Sequence, residues 1–543
     1  MKRIIAIVLA CLMLFALCAC GGGSRTSETG KVPEADTASA EDTGFNINEA
    51  AVVEAEEEDV DEKKTEDGWL VIGVTTSSAG FDPTVDMNYY GIPLVYDSLF
   101  TYDTDGNVQG LLAESWEWTD DTHLTIHMVE DATFSDGNPV TAEDALYSMS
   151  RYSEKGSRWS TYLSAIDFEN SEAVDDYTLV LAFSGATGPA LHYLATRHSS
   201  VLEKSYVESM DDDGLWQDFP CSGAYICTEN VSGASATFQR RDDYWGAKPE
   251  AEFIKIIFYT ENTTMMIDYE NGAIDMAINI ADKDVARVQA GDVEHTNLVV
   301  SGYYNQFEIS FPEYTELFDD IRVREAFAYA IDADAIAEAA FGSLFSSATS
   351  TLPADIRFHT DIGKYEYDPQ RAIELLEEAG YSAGDINLRM VVISFPQHIA
   401  LAEAFQAYLE AVGVNLSIES YAQPVAVSYF QTGDTDLVLN NNAEGALSAD
   451  PDQWYDTWKS TSTNATMRRS DETFNEYLAA GAASMDDDER AEAYKEAQQW
   501  LYDNYCVIPI CDGLQAYIYK DYISSAECLT PVAFSFRDIE FAK

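Results

Sequence analysis

The sequence predicts an α/β protein of two or three subdomains, set behind a leader and a tether. Two observations carry this. Short period-2 strands and amphipathic helical stripes interleave along the whole body without any internal repeat. The body, from Trp69 onward, runs for about 475 residues, more than one hydrophobic core sustains.

The elements follow in chain order. Lys2-Arg3 precedes fourteen uncharged residues, Ile4 to Leu17. That stretch is shorter than the roughly 20 helical residues a bilayer requires, so residues 1–19 read as a secretory signal to be removed. It runs into Leu17-Cys18-Ala19-Cys20-Gly21, which has the form of a lipoprotein cleavage site. Cys20 has small Ala19 before it, whereas Cys18 follows bulky Leu17, so the lipid is expected on Cys20. The chain would then be anchored to the outer face of the cell membrane. Ordinary secretion with Cys20 incidental is the alternative.

Residues 20–67 form the tether. Between Glu28 and Asp67 there are 15 acidic and three basic residues and a single aromatic, Phe45, too little apolar surface to fold. As a flexible coil its nearly 50 residues span on the order of 40 Å.

The whole chain carries 95 acidic and 31 basic residues, a formal charge of −64. Such a surface repels phosphate backbones and anionic head groups, which excludes nucleic acid as a partner and leaves the N-terminal lipid as the only membrane contact. Five cysteines lie in the body: Cys221, Cys227, Cys506, Cys511 and Cys528. Their spacing fits no zinc pattern, and the odd number leaves one unpaired. Cys221 with Cys227 and Cys506 with Cys511 are the bridges that would close small loops, and spacing alone decides neither.

Trp69 to Val74 is a short apolar strand that opens the body. Leu124 to Met128 alternates as a strand after a Thr119-Asp120-Asp121 turn. Thr141 with Asp144 three positions on marks an N-cap, and the helix it opens runs through Arg151. A second helix is capped by Asp368, with Pro369 in its first turn and Gly380 as its stop; Ala372, Ile373, Leu376 and Ala379 form its apolar stripe. His123 and His127 share a strand face at a spacing that can grip a metal, but no cysteine or third histidine joins them. They read as ordinary strand residues, and no metal or cofactor is expected. No Ser/His/Asp order or catalytic carboxylate pair stands out, so a secreted hydrolase is only a remote alternative and no enzyme activity is expected.

Several longer stretches carry a family resemblance. LAESWEWTDDTHLTIHMVEDATFSDGNPVTAEDALYSMSR, Leu112 to Arg151, resembles the signature of the family 5 extracellular solute-binding proteins, the oligopeptide- and dipeptide-binding lipoproteins of ABC importers. Phe81-Asp82-Pro83, Tyr96 to Phe100, Cys221 to Tyr259, Asp319 to Asp332 and Tyr367 to Tyr381 fall where that family has similar pieces. Within these motifs, Trp116, Trp118, Phe134 and the Asp136-Gly137 turn read as core and turn chemistry. Arg322, Arg324 and Asp332 read as solvated or paired residues that orient a helix.

The resemblance implies a type II periplasmic-binding-protein-like fold: two α/β lobes joined by two hinge strands, with a ligand cleft between them. Lobe I would be 68–301 plus 505–543, with a small domain inserted at about 98–215, and lobe II would be 302–504. It further implies a monomer that captures short peptides, closes on them, and delivers them to the importer's permease subunits. The family's ligand contacts point to Asn88, Tyr89 and Tyr90 and, on the inserted domain, to Tyr147. Tyrosine suits this because its ring supplies area and its hydroxyl a hydrogen bond.

In peptide-binding members an aspartate four residues before a proline holds the ligand's amino terminus through a charge-assisted bond. Here the corresponding run is Asn440 to Pro451, and four before Pro451 stands Leu447. The anchor is therefore Glu444, Asp450 or absent, with Asn441, Asn442, Trp454 and Tyr455 as neighbouring wall candidates; for Trp454 and Tyr455 an ordinary core role is equally open. The broken pattern keeps a second cargo class in play: an oligosaccharide, a chelated metal or another small solute, for which Asn440 to Asn442 with nearby aromatics would suit a sugar.

Overall fold

The computed structural model describes residues 68–75, 80–84, 86, 88–154, 160, 163–196, 199–210, 218–442, 450–459, 462, 467–526, 529 and 535–542, with residues 303, 304 and 442 described by backbone alone. The leader, Cys20, the tether, Glu444 and Cys528 lie outside the described residues.

The chain enters at β1 (Trp69–Val74), makes the hairpin β2 (Phe100–Tyr102) and β3 (Val108–Gly110), and builds a separate four-stranded antiparallel sheet. That small sheet comprises β4 (Ala113–Asp120), β5 (His123–Met128), β6 (Glu172–Asp175) and β7 (Thr178–Ala182), in the order β4-β5-β7-β6. It is the inserted domain. The chain returns through β8 (Tyr225–Val231), β9 (Ser235–Arg240), β10 (Phe253–Phe258) and β11 (Met276–Ile278), and leaves lobe I along the long strand β12 (Thr296–Ser310). Lobe II contains β13 (Phe345–Ser347), β14 (Asn387–Ile393), β15 (Asn415–Tyr421) and β16 (Leu437–Asn442). The second long strand, β17 (Val507–Lys520), carries the chain back, and β18 (Ile523–Ser525) pairs with β19 (Glu540–Phe541).

One sheet thus runs through both lobes in the order β15-β14-β16-β12-β17-β11-β1-β10-β9-β8, with β13 alongside β17. Only β12 and β17 belong to both halves. They pair antiparallel from Thr296↔Lys520 to Ser310↔Val507, and the ladder breaks where Gly302 faces Leu514 and Gln306 faces Asp512. Residues 303–305 there oppose Gly513 alone, a bulge that bends the pair. Gly302 immediately precedes this bulge, Asp512–Leu514 face it on β17, and residue 505 follows the end of the helix Asp487–Asp503.

Two main cores result, and the first extends across both halves, because Leu352, Ile356, Trp454, Tyr455 and Leu501 cluster with the lobe I residues. Leu70, Ile72 and Val74 of β1 pack with Phe238 and Ile254 in lobe I, while Ile309, Met390, Val392, Phe405 and Leu437 pack together in lobe II. Each such fully buried aliphatic side chain contributes about 1.5–3 kcal/mol relative to exposure.

Local signals in the sequence translate directly. Thr141 and Asp144 form a reciprocal capping box on the helix Ala142–Ser153, because each side chain takes up the other's otherwise orphaned backbone N–H. Asp368 accepts from the amides of Gln370 and Arg371, Pro369 fits the first turn, and Gly380 adopts φ +98° past the last turn. On that helix Leu375, rather than Ile373, is buried beside Ala372 and Leu376. Arg322 bridges to Asp320 on the surface, Arg324 is buried and donates to the carbonyls of Phe318 and Asn504, and Asp332 caps the helix Ala333–Phe341. Phe134 is buried, and Asp136 closes the turn around Gly137.

His123 pairs with Asp120 rather than with His127, and the described residues hold no group of three or more potential metal ligands. Neither of the two possible bridges forms: Cys221, Cys227, Cys506 and Cys511 are all free thiols. Burial pushes Cys221 up to about 12 and Cys227 up to about 11, so both stay protonated and unreactive. No helix among the described residues is long and apolar enough to cross a membrane.

Candidate functional site

In an open α/β sheet, ligands bind in the crevice beyond the carboxyl ends of parallel strands. In lobe II, β14 runs parallel to both β15 and β16. The carboxyl end of β16 reaches the bulge, because Asn442 lies opposite Gln306 on β12. In lobe I, β1 runs parallel to β10 and β11. The carboxyl end of β11, Ile278, lies opposite Tyr517 on β17, nearer the bulge than its start at Met276 opposite Tyr519. Both sets of strand ends therefore converge on the middle of the β12–β17 pair, which defines the cleft and places its floor at the hinge.

The floor holds a cavity of about 200 Å³. Its base is Phe307 of β12, with Phe341 from the end of the helix Ala333–Phe341 against it, ring centroids 4.8 Å apart. Gly513 and Leu514 of β17 close one side, and Asn305 of the bulge and Asn441 of β16 supply amide walls. The chain leaving β14 provides the remaining side: exposed Phe395 and Gln397, then His398 in the first turn of the helix Pro396–Ala411. His398 is only 2 % exposed, with its ring edge-to-face with Phe307 and Phe395 at 5.4 and 5.6 Å. Burial lowers its pKa to about 4, so the imidazole is neutral at pH 7.

On the opposite face of β12 the hinge carries a polar network. Gln306 donates from Nε2 to Asp512 Oδ1 at 2.7 Å and to the Ser350 carbonyl at 3.0 Å. Burial raises the Asp512 carboxyl to about 6 despite that bond, and the nearby Asp355 carboxylate adds to the rise. Asp355 lies so close to Gly302 that a β-carbon there would overlap its Oδ2, which is why the first residue of the bulge lacks a side chain. Further along, Glu308 is buried against Arg468 at 3.3 Å and Asn440.

A second set of contacts joins the inserted domain to lobe II. The Gly188 N–H donates to the Ala482 carbonyl at 2.9 Å, and the Tyr193 hydroxyl donates to Asp452. Arg357 approaches His192 Nε2 at 2.6 Å and reaches Asp487 at 2.6 Å. A guanidinium only donates, so Nε2 is the acceptor and Nδ1 carries the proton toward the Tyr102 oxygen, whose own hydrogen goes to the His192 carbonyl. The imidazole is neutral here as well, with burial holding its pKa down to about 4.

The structure brings Asn441 into the hinge cavity, ends β16 at Asn442, and distributes the other candidates elsewhere. Asn88 is buried and occupied locally: its Nδ2 donates to the Gly80 carbonyl and its Oδ1 accepts from the Gly91 N–H. Tyr89 and Tyr90 sit in the turn that follows, half-buried, and Tyr90 stacks on Phe536 at 5.5 Å. Tyr147 lies on the inserted domain beside Lys204.

Asp450 corrects the expectation of a ligand carboxylate. It is wholly buried, both its oxygens accept from Arg490 Nη2 at 2.8 Å, and it caps the helix Pro451–Trp454 through the Asp452 N–H. Trp454 and Tyr455 are likewise buried, the indole donating to the Thr351 carbonyl and the phenol meeting the Thr351 hydroxyl, so they take the core role that had stood equally open.

Asn305, His398, Phe395, Asp355 and Asp512 were not anticipated as cleft residues. One signal was available for two of them: Phe395-Pro396-Gln397-His398 comes one residue after an apolar run, Met390 to Ile393, which is the pattern of a strand end turning into a helix.

Two α/β lobes on one shared sheet, two crossing strands with a bulge, and a solvent-accessible crevice at converging strand ends define a two-lobed solute-binding protein of the type II periplasmic-binding-protein architecture. The chain belongs to the bacterial extracellular solute-binding proteins, family 5, whose model matches residues 107–466. It is 25 % identical over 520 residues to the periplasmic oligopeptide-binding protein OppA of Haemophilus influenzae, covering 87 % of this chain and 92 % of that one. Among solved structures it resembles the Helicobacter pylori DppA in complex with the peptide STSA (TM-score 0.76, 19 % identity, 88 % and 100 % of the two chains). It also resembles AgaA of A. tumefaciens R10 in complex with agropinic acid (TM-score 0.74, 22 % identity, 88 % and 99 %).

Proposed function

We propose that this protein captures short peptides in the cleft between its lobes and hands them unaltered to the permease subunits of an ABC importer. The observation that carries this reading is the hinge cavity. At about 200 Å³ it holds one side chain rather than a whole solute, and its amide walls, Asn305, Gln397 and Asn441, match the donors and acceptors of a peptide backbone passing over it. The oligopeptide-binding relative supports the same cargo. Contacts made to both lobes at once favour the closed arrangement, so ligand binding and closure are one equilibrium. The signal-like leader and Cys20 support attachment by lipid to the outer face of the membrane.

A second reading keeps the mechanism and changes the cargo to a non-peptide solute. It is favoured by the run Asn440 to Asn442, by the missing carboxylate four residues before Pro451, and by the neighbour AgaA. Thermal-shift panels of peptides and of sugars separate the two. A ligand at 100 times its Kd stabilises the folded protein by about 2.7 kcal/mol. Mass spectrometry of small molecules released from natively purified protein identifies the cargo directly. Peptides in that eluate confirm the first reading, and a saccharide or opine-like compound replaces it with the second.

A further inference from the structure

We propose that the hinge cavity is a specificity subsite for one aromatic ring that carries a neutral hydrogen-bonding tip, a phenol above all, with His398 and Asn305 as its polar end. The inference rests on the reading that solute enters the interlobe cleft, and it adds which chemical group the floor selects.

The walls set the shape. Phe307, Phe341 and Phe395 surround the space with aromatic faces and edges, the environment in which a further ring packs best. Phe395 is 46 % exposed at the mouth, a large apolar side chain left uncovered at the place where a ligand would cover it.

The floor sets the chemistry. His398 is buried, yet neither Nδ1 nor Nε2 has a hydrogen-bond partner. Asn305 Oδ1 is buried without a donor as well. Buried polar atoms are almost always paired, and leaving them unpaired is costly. A neutral imidazole offers one N–H and one bare nitrogen on diverging sides of the ring, so a single ligand group meets one of them. A hydroxyl suits either: its oxygen accepts from the imidazole N–H while its hydrogen goes to Asn305 Oδ1, or it donates to the bare nitrogen. A plain phenyl ring fills the space and leaves all three atoms unpaired. A cationic tip finds no carboxylate among the cavity-lining residues, and an anionic tip finds no charged donor there.

The full protein is titrated with p-cresol and with toluene, which share the ring and differ in the hydroxyl, while the histidine side-chain ¹⁵N resonances are followed by NMR. p-Cresol is expected to shift the His398 signals and to bind about tenfold or more tighter than toluene, the ratio that about 1.4 kcal/mol of recovered hydrogen bonding represents. His398→Leu should bring the two affinities together, and Asn305→Ala should narrow the gap. Equal affinities in the unmodified protein, His398 signals indifferent to p-cresol, or no p-cresol binding up to its solubility limit overturns the proposal without recourse to any variant. A tripeptide panel with Tyr or Phe at each position separates this proposal from the peptide reading. Peptides that bind with no preference for Tyr over Phe at any position refute the subsite and leave the function standing. p-Cresol binding with no peptide bound refutes the function and leaves the subsite standing.

Discussion

Replacing Asp450 by Asn tests whether this residue holds the fold or the ligand. Asn caps a helix as well as Asp does, so the bond to the Asp452 N–H survives and only the charge is removed. What remains is Arg490, 1 % exposed, with one of its two 2.8 Å bonds to position 450 lost, because an amide nitrogen cannot accept, the other weakened, and its Nε still on the Gly481 carbonyl. Removing one partner of a buried pair leaves an uncompensated buried charge, which costs about 3–5 kcal/mol. The loss is expected as a lower midpoint of equilibrium urea unfolding with an unchanged slope, since the surface exposed on unfolding is the same. Arg490→Met placed on top of Asp450→Asn should recover much of it, because a flexible apolar side chain suits the site beside Phe358 and Tyr494 better than an unpaired guanidinium. If Asp450→Asn keeps stability within about 0.5 kcal/mol of the parent while ligand binding collapses, the structural assignment is wrong and Asp450 is a binding carboxylate after all.

Three further outcomes are expected. His192 and His398 are both held neutral, with folded pKa values of about 4 against about 6.5 unfolded, so the unfolded chain binds more protons below pH 6.5 and stability falls as pH drops toward 4; at pH 5 each histidine accounts for about 2 kcal/mol, and His398→Leu should remove its share from the pH profile of urea unfolding. Asp512 has the opposite sign: raised to about 6, it favours folding at low pH, and that contribution disappears as pH climbs from about 3.8 through 6. Asp512→Asn keeps an oxygen for Gln306 and should flatten this window, leaving the variant at pH 7 more stable than the parent by up to about 3 kcal/mol. Gly188→Ala places a β-carbon on the Ser484 carbonyl oxygen and against Arg490, so the seam between inserted domain and lobe II cannot close; small-angle scattering should show a larger radius of gyration that ligand no longer reduces, and an unchanged profile would dismiss the seam as a closure contact.

What the sequence disclosed and what it hid divide along chain distance. The capping box of Thr141 and Asp144, the Asp368-Pro369 start and the Gly380 stop are local agreements between neighbours three or four residues apart, and such agreements are visible in one dimension. Asn441 stood out in the sequence through the run Asn440 to Asn442, and the structure places it on the wall of the hinge cavity near the end of β16. The fate of Asp450 was not, since its partner Arg490 stands 40 positions away on another helix. Trp454 and Tyr455 look the same in sequence whether they wall a pocket or fill a core, and only the position of Thr351, more than 100 residues earlier, decides it. The hinge cavity was the least accessible of all. It gathers β12, β14, β16, β17 and the end of the helix Ala333–Phe341 at one point through sheet register, and a lone histidine after Phe395-Pro396 carries no trace of that convergence.

That convergence also bears on how closure is driven. The seam between inserted domain and lobe II includes one backbone hydrogen bond, the Tyr193 to Asp452 bond and the Arg357 contacts, and apolar residues of both sides belong to one hydrophobic core. Neutral hydrogen bonds of this kind net about 0.5–1.5 kcal/mol each and those to charged groups about 1.5–3, before the entropy of holding two lobes together is subtracted. On the proposed function, a ligand that touches both lobes adds its own increment to these contacts. The hinge cavity is well placed to supply it. Its walls come from lobe II and from both crossing strands at the bulge itself, so on the proposed function its occupancy and the bend of β12 against β17 are expected to change together.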